Sequence, residues 1–224
     1  MGLAMVSHFK SLGYRVATCS TSLEGANQGH PDFAFAGDVA NRDHVKAGIA
    51  AVVQKLGKID VVINNAGLAG ENSLNPEDDD SFWNAIINVN LHGTYYVSKY
   101  ALPHLKEGGR IINVASVLAH KGVPDQTAYC AAKHGVLGFT RALAHAASHR
   151  RITVNVICPG WTRTDMAFGR MKELGMTEDS LRTSVPMGRF IETKEIAQMA
   201  EYLASEAASG ITGQSFIIDG GVLA

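Results

Sequence analysis

The feature that most constrains this chain is a repeated switch between short apolar runs and longer amphipathic stretches. Tyr14-Arg15-Val16-Ala17-Thr18-Cys19, Phe33-Ala34-Phe35-Ala36, Ile59-Asp60-Val61-Val62-Ile63, Arg110-Ile111-Ile112-Asn113-Val114, Ile152-Thr153-Val154-Asn155-Val156-Ile157 and Ser215-Phe216-Ile217-Ile218 read as strands. They are rich in β-branched residues and do not alternate cleanly, which is the pattern of strands buried on both faces. Between them lie helical periods. Asp43 to Leu56 puts Val45, Ile49, Val52, Val53 and Leu56 on one side; Phe82 to Leu105, the alanine-rich Gln126 to Ala147, and Glu195 to Leu203 follow. Such alternation predicts an α/β fold, a doubly wound parallel sheet with helices on both faces. No repeat or linker divides the chain, so residues 1–224 are expected to form one domain.

Composition removes several function classes. The formal net charge is −1, without the basic excess of a nucleic-acid binder. No apolar run reaches the length of roughly 18 residues that spans a bilayer, and no basic-then-apolar leader opens the chain. Cys19, Cys130 and Cys158 are widely spaced and form no Cys-x-x-Cys pair. Three reduced thiols in a cytoplasmic protein are the expectation, with no disulfide framework and no zinc site. The acidic run Asn75-Pro76-Glu77-Asp78-Asp79-Asp80 reads as a helix cap followed by proline in the first turn, rather than as a metal site. Gly160 to Val185 is less regular and carries Met166, Phe168, Met171, Leu174 and Met176. It reads as a flap over a substrate or as a core-covering helix pair.

The chemistry concentrates around Tyr129-Cys130-Ala131-Ala132-Lys133. At i and i+4 on a helix, a phenol and an ammonium point the same way. Tyrosine ionises near ~10 in water, and a neighbouring positive charge lowers that value. A tyrosine so tuned can protonate a ketone oxygen or deprotonate an alcohol as hydride moves. Spacing alone is weak evidence, because Tyr95 and Lys99 share it. Context separates the pairs. Ser116 lies just after the strand ending at Val114, where open parallel sheets face their ligand crevice, and its hydroxyl can donate to a substrate carbonyl. The residue at the same distance before Tyr95 is Phe82. Upstream, Asn64-Asn65-Ala66-Gly67 follows a strand, and a small turn there lets a flat cofactor approach the backbone. Tyr95 and Lys99 are expected on an ordinary helix surface.

The ordered set Asp38-Val39, Asn64-Asn65-Ala66-Gly67, Asn90, Ser116, Tyr129-x-x-x-Lys133, Pro159-Gly160 and Asp219-Gly220-Gly221 resembles the classical short-chain dehydrogenase/reductase family from Gly2 to Gly221. The resemblance implies a Rossmann-like sheet and nicotinamide-dependent hydride transfer. Tyr129 would be the general acid/base. Lys133 would hold the cofactor ribose and depress the tyrosine pKa. Ser116 would polarise the carbonyl, and Asn90 would anchor a water in a proton relay. Asp38 and Val39 would flank the adenine; Pro159, Gly160, Thr162 and Thr164 would line the nicotinamide and diphosphate side. A plain helix cap competes for Thr164, and a turn with structural or subunit-contact duties is the better reading of Asp219-Gly220-Gly221.

The chain departs from the family at its start. The family's first strand and its Thr-Gly-x-x-x-Gly-x-Gly turn are matched only at Met1-Gly2-Leu3-Ala4, with Gly2 as the retained cofactor contact. The missing strand would lie centrally, between the strands at Tyr14 and Ile59. A start upstream of Met1 is favoured; a truncated non-catalytic subunit and a substitute for the strand are the alternatives. After the second strand the chain reads Cys19-Ser20-Thr21-Ser22-Leu23, without the acid that binds a ribose 2′-hydroxyl. Thr21 and its neighbours leave room for a 2′-phosphate, so NADP(H) is expected over NAD(H). The overall pattern is most similar to 3-oxoacyl-thioester reductases, with NAD-dependent secondary-alcohol or 3-hydroxybutyrate-type dehydrogenases as the alternative. Trp161, Met166, Met171 and Met176 form a pocket wall or simple core packing. Members usually assemble as homotetramers, and the alanines Ala131, Ala132, Ala142, Ala144 and Ala146 would permit close helix approach in a homotetramer or homodimer.

Overall fold

The computed structural model describes residues 1–180 and 182–224. In chain order it runs α1 (Gly2–Ser11), β1 (Ala17–Ser20), α2 (Leu23–Asn27), β2 (Phe33–Ala36), α3 (Arg42–Leu56), β3 (Ile59–Asn64), α4 (Ser81–Ile87), α5 (Gly93–Ala101), β4 (Leu105–Val114), α6 (Thr127–Ala147), β5 (Thr153–Pro159), α7 (Asp165–Glu173), α8 (Glu178–Arg182), α9 (Thr193–Ala204) and β6 (Ser215–Ile218). Every strand pairing is parallel. Local chemistry sets the helix starts. The Asn41 side chain accepts from the Asp43 and His44 amides ahead of α3. Glu192 and Glu195 close a reciprocal capping box on α9. Arg189 pairs with that same Glu195 carboxylate and holds its pKa down to about 2.

The core has two layers around β4 and β5. On one face Ile112, Val114 and Ile157 pack against Ile196, Ala200 and Leu203 of α9 and against Met5 and Phe9 of α1. On the other, Ile111 and Val154 pack against Ala101 of α5 and against Ala144 and Ala147 of α6. Both faces of β5 are buried along its whole length, as its unbroken apolar run demands.

Between β1 and β3 the sheet is interrupted. One sheet has the order β1-β2, the other β3-β4-β5-β6, and nothing among the described residues pairs between them. A cleft of about 1080 Å³ lies there, walled by Val16 to Thr21 on one side and Ile59 to Gly67 on the other. The strand expected at this position therefore has no substitute within the described residues. Facing sheet edges with unpaired backbone groups are costly wherever water is excluded.

Three other expectations are corrected. The stretch Phe82–Leu105 is not one helix: α4 passes into a π-helical turn at Asn88–His92 before α5, and Leu105 already belongs to β4. In the acidic run, α4 starts only at Ser81, so Pro76 opens a turn rather than a helix; Asn75 accepts from the Glu77 amide and Asp79 from the Ser81 amide. The alanines of α6 do not share one face. Ala132 and Ala144 are buried, whereas Ala131, Ala142 and Ala146 are exposed. Among the described residues no helix is long and apolar enough to cross a membrane, and no group of three His, Cys, Asp or Glu side chains could hold a metal ion.

Candidate active site

Three strand ends and one helix build the site. β4 delivers the chain to Ser116, which caps a short 3₁₀ turn by accepting from the Leu118 amide at 3.1 Å. That bond uses an oxygen lone pair and leaves the hydroxyl hydrogen to engage the Tyr129 phenol. Tyr129 and Lys133 lie one turn apart near the start of α6, only 8% and 3% exposed. The Lys133 ammonium donates to the Val114 carbonyl at 3.0 Å and stands 5.4 Å from the Tyr129 ring centroid. Asn90 sits in the π-helical turn. Its amide donates to the carbonyls of Leu68 (2.7 Å) and Ile86 (2.9 Å), while the Thr94 hydroxyl takes the carbonyl of Asn90 itself. Side-chain donors that occupy helix carbonyls loosen the i→i−4 ladder, which accounts for the widened turn.

Asn90 Oδ1 is buried and finds no partner in the protein. It points to Gly67, where an added Cβ would come within 3.0 Å of Asn90 Oδ1 and 3.7 Å of Lys133 Nζ. Gly67, Asn90 and Lys133 thus converge on one small space beside Tyr129. The exposed pair behaves otherwise: Tyr95 is 38% exposed, with Lys99 lying over its ring at 5.4 Å.

Electrostatics departs from expectation here. Lys133 does not pull the tyrosine down. Burial pushes the Tyr129 phenol up to about 12, and the Ser116 hydroxyl hydrogen-bonded to it offsets only part of that. The same burial lowers the Lys133 ammonium to about 8. Desolvation disfavours the charged form of each group. The ammonium is directed at the Val114 carbonyl rather than at the phenol oxygen.

Gly2, Thr21, Asp38, Val39, Asn64, Asn65, Ala66, Gly67 and Thr164 all line the cleft between the sheets. Their side chains differ in duty. The Asn64 amide is engaged by Ser98 (3.0 Å) and Asn113 (2.8 Å) in a buried network, so it braces α5 and β4. Asn65 Oδ1 is buried without a partner. A Cβ at Gly2 would lie 3.0 Å from Asn65 Nδ2, so the start of α1 approaches this turn closely. Asp38 accepts from the Ala40 amide, and Val39 packs against Gly93. Partial burial and the Asp38 carboxylate beside it push the Cys19 thiol up to about 11.

Pro159, Gly160 and Thr162 do not line the cleft. Gly160 is a packing glycine: a Cβ there would lie 2.7 Å from the Asp219 Cβ and 2.8 Å from its Cα. Thr162 is buried, donates to the Gly160 carbonyl and bridges to Ile191. Thr164 caps α7 as well as lining the cleft. Asp219 accepts from the amides of Gly221 and Leu223, which makes Asp219-Gly220-Gly221 the structural turn expected. The segment after Gly160 is the helix pair α7 and α8; Met171 and Phe190 are packed with Trp161 and Met176, whereas Met166 is 42% exposed at the cleft.

Sequence reading missed Asn72. Its Oδ1 accepts from the Ala128 amide (2.9 Å), its Nδ2 donates to the Thr127 hydroxyl (2.8 Å), and its own amide donates to the Asp125 carbonyl (3.1 Å). It caps the turn that carries Tyr129 from a distant loop. Nothing in Glu71-Asn72-Ser73 signals that role.

The arrangement can donate a proton to an oxygen that reaches Ser116 and Tyr129, next to Gly67 at the edge of the cleft between the sheets. Comparison with known proteins gives the same outline. A family model described as enoyl-(acyl carrier protein) reductase matches residues 1–223. The chain is 36% identical to a 3-oxoacyl-[acyl-carrier-protein] reductase of Haemophilus influenzae, over 99% of this chain and 93% of that protein. A Thermotoga maritima reductase of the same description is 38% identical, over 83% and 75%. Among solved structures, an actinorhodin polyketide ketoreductase variant with NADPH superposes with a TM-score of 0.92 at 33% identity, covering 99% of this chain and 92% of that one. The ligand-free aldohexose dehydrogenase of Thermoplasma acidophilum gives 0.91 at 31%, covering 99% and 89%. The chain belongs to the short-chain dehydrogenase/reductase family and is an oxidoreductase of that family's nicotinamide-dependent type.

Proposed function

We propose that residues 1–224 act as one NADP(H)-dependent ketoreductase unit that reduces the ketone of a 3-oxoacyl thioester to a secondary alcohol. The observation that carries this reading is the convergence of the half-buried Ser116 with the buried Tyr129, Lys133 and Asn90 next to Gly67, which itself lines the cleft between the sheets. NADPH, when bound, supplies the hydride. The residues present fit that cofactor: Gly67 is a cradle that a Cβ would fill, Asn65 offers an unpartnered buried oxygen, and Thr21 and Asp38 stand on the opposite wall. Asn65, Ala66, Gly67 and Lys133 would hold the nicotinamide ribose half; Gly2 and Thr164 would border the diphosphate; Thr21, Asp38 and Val39 would flank the adenine half. The NADP preference rests on the hydroxyl residues after β1 and on the NADPH-bound ketoreductase relative.

Ser116 turns its hydroxyl hydrogen from Tyr129 to the ketone oxygen. Tyr129 donates its phenolic proton to the same oxygen as the carbon accepts hydride, and the product is the neutral alcohol. A phenol held near 12 is protonated at neutral pH, so the proton to be donated is in place before reduction. Asn90, with its orphan oxygen, holds a water that returns a proton toward Lys133 and Tyr129. The reading includes a cytoplasmic homotetramer or homodimer assembled through the outward face of α6, where Ala131, Ala142 and Ala146 are exposed; a monomer in light scattering at micromolar concentration speaks against that part.

Titration of NADPH and NADH against the purified 224-residue chain, then a screen of 3-oxoacyl thioesters, tests the proposal. Tighter binding of NADPH, with turnover that falls by about 10²–10⁴ in Tyr129→Phe, is expected. A folded protein that binds neither cofactor is a non-catalytic subunit. Preference for NADH with a secondary alcohol identifies an oxidative dehydrogenase instead.

A further inference from the structure

Helix α7 begins at the cleft, where Thr164, Asp165 and Met166 are on the wall, and its far side reaches the loop that leads into Tyr129. The contact there is an ion pair between Arg170 and Asp125, residues 45 positions apart. Both are sheltered, with 13% and 28% of their side chains exposed. Arg170 also pairs with Glu173 at 2.9 Å, but that bond is within α7 and cannot hold the helix to anything else. The Asp125 backbone carbonyl takes the Asn72 amide, and Asn72 in turn caps α6. One loop therefore links α7, the Asn72 segment and the turn that bears Tyr129.

Apart from this pair, α7 is thinly anchored. Ala167 and Met171 are its buried residues; Met171 and the Phe168 ring both meet Phe190, whereas Met166 and Phe168 remain 42% and 39% exposed. A helix with two buried side chains and one long-range ion pair opens at low cost. We propose that Asp125 and Arg170 are positioning residues that keep α7 closed over the substrate side of the catalytic site. This rests on the ketoreductase reading, and it makes α7 a flap held by one sheltered charge pair. Neither residue touches the reacting atoms. The pair governs how long an acyl substrate stays in front of Tyr129, not the proton transfer itself.

The variants Asp125→Asn, Arg170→Gln and the double variant are compared with wild type, with Glu173→Gln as the control that leaves the pair intact. Each single variant should raise KM for a 3-oxoacyl thioester about tenfold, with kcat within about twofold. The double variant should be no worse than either single one, because both remove the same bond. Arg170→Lys should recover part of the loss. Amide exchange in α7 should speed up about tenfold in the same variants, while exchange in α6 stays unchanged. An unchanged KM, additive single effects, or faster exchange in α6 overturns the proposal. If wild type reduces no ketone, the ketoreductase reading has failed, and the exchange comparison alone still decides whether the pair holds α7.

Discussion

Replacing Lys133 with methionine removes a buried ammonium that no carboxylate balances. The side chain is 3% exposed, and its one hydrogen-bond acceptor is the Val114 carbonyl. Burial brings its pKa from the ordinary 10.5 to about 8. At about 1.4 kcal/mol per pH unit, keeping that charge folded at neutral pH costs about 3 kcal/mol. Methionine fills similar space without charge, and the Val114 carbonyl left behind takes back about 1 kcal/mol. The net gain is about 2 kcal/mol, a rise in Tm of about 4–8 °C for a chain of this size. The gain has a pH signature. Unfolded, the lysine loses its proton near 10.5; folded, near 8. Between those values the unfolded state binds more protons, so wild-type stability rises with pH and the advantage of Lys133→Met passes through zero before about pH 10.5, where the lost Val114 bond leaves the variant about 1 kcal/mol behind. Above about pH 10 the wild type and the variant both lose stability, because Tyr129 ionises later folded, near 12, than unfolded, near 10. Thermal melts of both proteins across pH 6–11 check this. A variant less stable than wild type at pH 7, or a gain that does not change with pH, refutes the electrostatic account. A lysine retained at such a cost to stability is retained for what it does in the site.

Gly160→Ala forces a Cβ against the Asp219 backbone and should cost about 2–3 kcal/mol, about 4–12 °C in Tm, without weakening NADPH binding; lost affinity with an unchanged melt would restore Gly160 to the cofactor site. Asn72→Ala removes the remote cap of the Tyr129 turn and should lose about 1–2 kcal/mol of stability together with several-fold in kcat, so an unchanged kcat argues that the cap is only structural. The pH dependence of kcat/KM for ketone reduction should break once, near pH 8 as Lys133 loses its charge, with activity falling above it and no break from Tyr129 below about pH 10; a break near pH 6 would point to a different acid.

Much of this was legible because burial leaves a mark in sequence. The strands at Phe33 and Ser215 fall where their apolar runs fall, and the wider runs at Ile59 and Ile152 miss by one or two residues. Tyr129 and Lys133 could be separated from Tyr95 and Lys99 by Ser116, and the structure buries the first pair and exposes the second. What sequence hid was long-range or local in a way periodicity cannot see. The π-helical turn at Asn90 depends on two side-chain bonds to carbonyls, which a helical period does not encode. Asn72 and Asp125 act through partners 45 or more positions away. Gly160 has a packing duty that its motif does not announce, the close approach of Asp219. The sign of the Tyr129 shift was also beyond reach: proximity to a positive charge predicts a lowered pKa, and only burial shows that desolvation wins.

The interrupted sheet divides the site into halves of unequal support. Ser116, Tyr129, Lys133 and Asn90 hang on β4, α6 and the turn into α5, all tied to the intact β3-β4-β5-β6 sheet. Thr21, Asp38 and Val39 hang on the separate β1-β2 pair, across the cleft. On the proposed reading, proton-transfer geometry depends on the first group alone, whereas dinucleotide affinity needs both walls at the right distance. Any deficit in this chain should therefore appear as a raised KM for NADPH with kcat preserved at saturation, since binding carries the cost of fixing the walls and chemistry does not. Steady-state kinetics with NADPH varied over three decades checks it. A low kcat at saturating NADPH would mean that the gap reaches Ser116, Tyr129, Lys133 and Asn90, and that β3 and α6 are less well held than their burial implies.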